Sequence, residues 1–230
     1  MSVKHGEVQP APQARDIPEP EKWEILVAGD WFLEDLGKFP RQYVNLYSFI
    51  YSLVNLDRPS VRSNVAAIYR RYPWRGGFST VNFFRELKGI IPSLHEPEVV
   101  SMTYASPGKI ELELLAPVAR VVASSLGAAE GNLEKLDELS KTFSVRQRLE
   151  KWAQIDGSLI NIPLSDSSEQ FLHEMAEQLS SLLGLGIYKD ELLRLAPNSL
   201  VATKILLSFF RRLKKLHRFN QRNLVYVYEG

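Results

Sequence analysis

Between Val99 and Leu126 the hydrophobic period of the chain changes, and that change limits the fold more than any other feature. In VSMTYASPGKIELELL, Val100, Met102 and Tyr104 alternate with Ser101, Thr103 and Ala105. After Ser106-Pro107-Gly108, Ile110, Leu112 and Leu114 alternate with Glu111 and Glu113. Pro presets φ and Gly admits positive φ, so two alternating runs about this turn predict a β-hairpin. On a strand, Glu111 and Glu113 share one side, opposite the three apolar residues, and an exposed sheet face is expected for them. A general acid/base pair would need one carboxylate in an apolar pocket, and nothing local supplies one. From Ala116 the period lengthens: Val118, Val121, Val122 and Leu126 form a helical stripe after Pro117. A hairpin followed by helix excludes the strict βα alternation of a doubly wound fold.

The rest of the chain is helical in the same sense. Trp23, Ile25 and Val27 predict a strand ended by Gly29 and Asp30. Tyr43, Leu46, Tyr47, Ile50, Tyr51 and Val54 predict a helix from about Pro40, with proline at its start, to Leu56. VRSNVAAIYRRY predicts a shorter helix, and Ser79 is placed to cap a third over STVNFFRELKGII. Leu133, Leu136, Leu139, Phe143, Leu149 and Trp152 continue the stripe after a weak point at Gly127–Asn132. Asp166, Ser167 or Ser168 caps the next helix, carrying Phe171, Met175, Leu179 and Leu182. Pro197 separates KDELLRLA from NSLVATKILLSFFRRLKKLHRF, and NLVYVYEG closes as a strand. The expected fold is α+β and helix-dominated. A small antiparallel sheet (strands near 23–28, 98–105, 109–115 and 223–228) packs with about six to seven helices. Pro10, Pro12, Pro18 and Pro20 among charged and small residues predict a flexible arm over 1–20. A single domain is expected over 21–230, with a split into 21–160 and a helical 161–230 as the alternative.

Function is constrained mostly by exclusion. The 230 residues carry a formal charge of +1 and no cysteine, which rules out disulfides, thiolate nucleophiles and Cys-ligated metal sites. That composition fits a cytoplasmic protein, and no stretch reaches the roughly 20 apolar residues of a transmembrane helix. No Walker loop, dinucleotide fingerprint or nucleophile elbow occurs. No two histidines stand three or four residues apart. Glu169, His173 and Glu177 share a helix face, but carboxylate metal sites draw ligands from several helices, so a solvated face is expected. No metal and no cofactor are expected.

Two features point outward. From Lys204 to Arg222 there are seven Lys or Arg and no acid, while Glu130 to Leu200 holds 12 acids and 7 bases. Phe209, Leu213 and Leu216 share one side of the last helix, leaving Arg211, Lys214, Lys215 and Arg218 on the remaining arc. The loop YRRYPWRGGF interleaves arginine and aromatics, and Arg70, Arg71, Trp74 and Arg75 form a second candidate binding set. The plainer reading has Trp74 and Phe78 anchoring the loop and the arginines wet. Tyr43, Tyr47 and Tyr51 could stack bases, but a core-edge stripe with hydroxyls in water fits their spacing better. The expected function is a non-enzymatic binding or regulatory protein, acting through the basic helix and the aromatic–Arg loop. Nucleic acid, an anionic membrane surface or a protein partner would meet residues 204–222, and self-association is a further option. The alternatives are charge pairing with the chain's own acidic helices, and an enzyme whose site is assembled from distant residues.

Overall fold

The computed structural model describes residues 18–105 and 107–226. The fold is α+β and dominated by helices. Four antiparallel strands, β1 (Glu21–Val27), β2 (Glu98–Thr103), β3 (Gly108–Leu114) and β4 (Val225–Tyr226), form one sheet in the order β2-β3-β1-β4. β1 pairs with β3 so that Ile25 faces Ile110 and Trp23 faces Leu112. These residues, with Val27 and Leu114, are buried on the inner face. β4 follows α8 and lies beside β1, where the Ala28 amide donates to the Leu224 carbonyl. Gly29, just past the end of β1, has φ +66, a region that side chains strain.

Eight α-helices occur among the described residues: α1 (Leu33–Val54), α2 (Pro59–Arg71), α3 (Gly77–Lys88), α4 (Ala116–Gly131), α5 (Leu133–Leu149), α6 (Asp166–Leu182), α7 (Lys189–Leu195) and α8 (Ser199–Gln221). The expected break at Gly127–Asn132 falls at Asn132, between α4 and α5. From Leu200 to Phe210 every residue of α8 is buried, because α1, α4, α6 and α7 all pack on it. Phe49 of α1 and Phe209 of α8 meet at 4.6 Å, with Phe83 and Phe84 of α3 alongside Phe49. One hydrophobic cluster joins residues from Trp23 to Val225.

Several local expectations need correction. α1 begins at Leu33 and Pro40 lies inside it. The Asp35 carboxylate accepts the Phe32 amide at 3.2 Å and binds Arg222 at 2.9 Å, so the true start is fixed seven residues earlier than proline suggests. Ser79 does not cap α3; it lies inside the helix, and its hydroxyl accepts the Trp74 amide at 3.1 Å. Ser165, rather than the three residues after it, caps α6 through the Ser168 amide. β2 is exposed along its whole length, with a register shift between Val99 and Ser101 that breaks the alternation. Glu113 is exposed, whereas the Glu111 side chain is only 14% exposed, covered by Lys22 at 2.9 Å and Lys109 at 3.6 Å. Those ammonium groups hold its carboxyl below the ordinary range, Lys22 first.

The tyrosine stripe is core, not core edge. Tyr47 donates to the His95 carbonyl and accepts the Leu115 amide, both at 3.0 Å, and Tyr51 bonds His95 Nδ1 at 3.0 Å. The Tyr43 hydroxyl is buried, and burial pushes it well above the usual range. The proposed arm at 1–20 and the end of the last strand fall largely outside the described residues.

Candidate anion-binding groove

The last three turns of α8 leave the core. Leu213, Leu216 and Phe219 stay buried, and the opposite side faces the N-terminal half of α1 and one side of α3. Between these three helices lies a groove of about 920 Å³. α8 contributes Arg211, Arg212, Lys214, Lys215 and Arg218; α1 contributes Arg41; α3 contributes Arg85 and Lys88. The rest of the wall is neutral, with Gln42, Asn45 and Thr80 as polar members, and no carboxylate lines it.

Two of the eight cations are paired. Lys214 meets Asp137 of α5 at 2.6 Å, and Lys88 stands 3.9 Å from Glu96. Among the described residues, Arg41, Arg85, Arg211, Arg212, Lys215 and Arg218 make no ion pair. Arg212 lies at the base of the cluster. Its guanidinium stacks 3.5 Å above the centroid of Phe84 and donates to the Ser208 carbonyl at 3.0 Å, while its buried Nε has no partner. Burial, then Arg211 and Arg41, lower its pKa from 12.5 to about 10. The guanidinium stays charged at neutral pH among like charges, in a partly buried position. An anion entering the groove would offset those charges.

The predicted site residues divide. Arg211, Lys214, Lys215 and Arg218 converge on this groove. Part of the expected internal pairing is also present: Lys214 meets Asp137, His217 meets Glu130 at 2.7 Å, and Arg222 meets Asp35. Of the loop set, Trp74 is 3% exposed, so it anchors the loop, whereas Phe78 is 77% exposed and does not. Arg71 pairs with Glu86 at 2.9 Å and Arg70 is exposed at the end of α2; neither lines the groove. Arg75 lines a smaller adjoining pocket. Arg41, Arg85 and Lys88 escaped the sequence reading as site members: they lie on two other helices, and no local spacing links position 41 to position 218. Arg212 belongs to the basic run of residues 204–222 but stands beside the apolar stripe and was not among the predicted site residues.

One further cation lies deeper. Lys204 is 6% exposed, and its Nζ donates to the carbonyls of Trp74 at 2.8 Å and Trp152 at 3.4 Å. Burial lowers it from 10.5 to about 8. Among the described residues no group of His, Asp or Glu could hold a metal ion, and no helix is long and apolar enough to cross a membrane. No protein-family model, curated protein or solved structure matches the chain.

Proposed function

We propose that the chain is a binding protein for single-stranded nucleic acid, holding the phosphate backbone along the α1–α3–α8 groove. The observation that carries this reading is the convergence of eight cations from three helices on one concavity without a lining acid. A backbone is a line of single negative charges, and such a line suits cations spread along a groove. The concavity favours a strand over a lipid surface, because a flat bilayer meets protruding residues and not those on a groove floor. Its volume is that of a drug-sized ligand site, too small for a duplex to enter. Phe78, exposed beside the groove-lining Gly77, offers a ring on which a base can stack.

The test is fluorescence anisotropy with labelled single-stranded DNA, single-stranded RNA and duplex, with anionic vesicles in parallel. Salt-sensitive binding to single strands, abolished by charge reversal of Arg211, Lys215 and Arg218 to Glu, is expected. Binding to vesicles alone, or to nothing, overturns the reading.

A further inference from the structure

Beside the groove lies a smaller cavity of about 180 Å³, which shares Gly77, Thr80 and Arg211 with it. Its walls come from the Trp74-Arg75-Gly76-Gly77 turn, the start of α3, the Phe143–Gln147 stretch of α5, and Lys204 and Ser208 of α8. Arg75, Lys204 and Arg211 bring three positive charges, and no carboxylate lines it. Arg75 reaches Asp156 only at 3.8 Å. Lys204 has two neutral carbonyls for partners and no anion among the described residues, an arrangement that a buried ammonium does not favour by itself. Trp74, which also lines the cavity, has a buried indole N–H with no acceptor.

The backbone adds donors. α3 begins at Gly77 with no side-chain cap on Gly76, so its first amides are not bonded by a capping side chain. The fold does not require glycine there. Gly76 has φ 175, ordinary extended backbone, and a Cβ on Gly76 or Gly77 would meet nothing within 4 Å. Two small residues the packing does not demand leave the approach to the α3 amides clear, as in other phosphate-binding turns that open a helix.

We propose that this cavity is a phosphate-monoester site, in which Arg75, Arg211, Lys204 and the first α3 amides take a terminal phosphate. A monoester carries more charge than a backbone diester and has one free end, which suits a small pocket beside a longer groove. The phosphate comes from the end of a bound strand or from a free mononucleotide. The strand-end source rests on the groove reading; the site itself does not.

The experiment has two arms on the full-length protein. In the first, inorganic phosphate and then a nucleoside monophosphate are titrated into ¹⁵N-labelled protein, following the Gly76 and Gly77 amides and the Trp74 indole. In the second, anisotropy compares single strands with a 5′-phosphate, a 3′-phosphate or neither. Saturable shifts at those three positions are expected, with an affinity gain of about tenfold for one phosphorylated end. Gly76→Val, which adds bulk at a residue lining the cavity, and Arg75→Ala, at an exposed side chain, should each remove the gain while melting as wild type. Mononucleotide binding without an end preference keeps the site and assigns it to a free ligand. Shifts without any strand binding keep the site and overturn the groove reading. Strand binding indifferent to end phosphates, with no saturable shift, overturns the site and leaves the groove.

Discussion

Neutralising Arg211, Lys215 and Arg218 to Gln should change how steeply binding depends on salt, by an amount the ion pairs set. Each phosphate neutralised on a single strand adds about 0.7 to the slope of log K against log salt. Of the eight groove cations, Lys214 and Lys88 already have carboxylates at 2.6 and 3.9 Å. Six remain, so the wild-type slope should approach about −4. Affinity should then fall about 300-fold between 50 and 200 mM salt. The triple variant retains three free cations and should show a slope near −2, with a loss of about 20-fold over the same range. All three side chains are exposed, so urea melts should differ from wild type by under about 0.5 kcal/mol. Anisotropy titrations at five salt concentrations measure both slopes. Equal slopes for the two proteins would show that these side chains do not meet phosphate, and a wild-type slope near zero would refute the backbone-binding argument altogether.

Lys204 makes stability depend on pH. Its native pKa of about 8 lies below the unfolded value near 10.5, so between them the unfolded state binds more protons and stability rises with pH. From pH 7.5 to 9.5 the gain should be about 2 kcal/mol in urea melts, absent from Lys204→Met; a flat wild-type profile would contradict it. Measurements stop there because buried tyrosines such as Tyr43 reverse the trend once the unfolded chain's phenols ionise. Phe209→Ala, at the 4.6 Å contact with Phe49, should cost about 3–5 kcal/mol in the same assay; under about 1 kcal/mol would mean α8 is not central. Glu111→Gln should lower the melting temperature more than Glu113→Gln, since only Glu111 lies beneath Lys22 and Lys109; equal effects would contradict that packing.

The sequence by itself determined the elements whose cause is local. The alternation of Ile110, Leu112 and Leu114, the stripe of Phe209, Leu213 and Leu216, and the break at Pro197 are each written within a few residues of where they act. Half of the groove was legible for the same reason: Arg211, Lys214, Lys215 and Arg218 lie within two turns of one helix. Tertiary structure decided the rest. The start of α1 moved to Leu33 because Asp35 binds Arg222, a partner 187 positions away. The Tyr47 and Tyr51 hydroxyls left water because His95 and Leu115 supply their bonds from other parts of the chain. Arg41, Arg85 and Lys88 became groove residues only when α1 and α3 packed beside α8. Helix and strand periods reflect the geometry of neighbouring residues, so a sequence displays them directly. A groove depends on which faces of distant helices are brought together, and that choice is made by burial across the whole core.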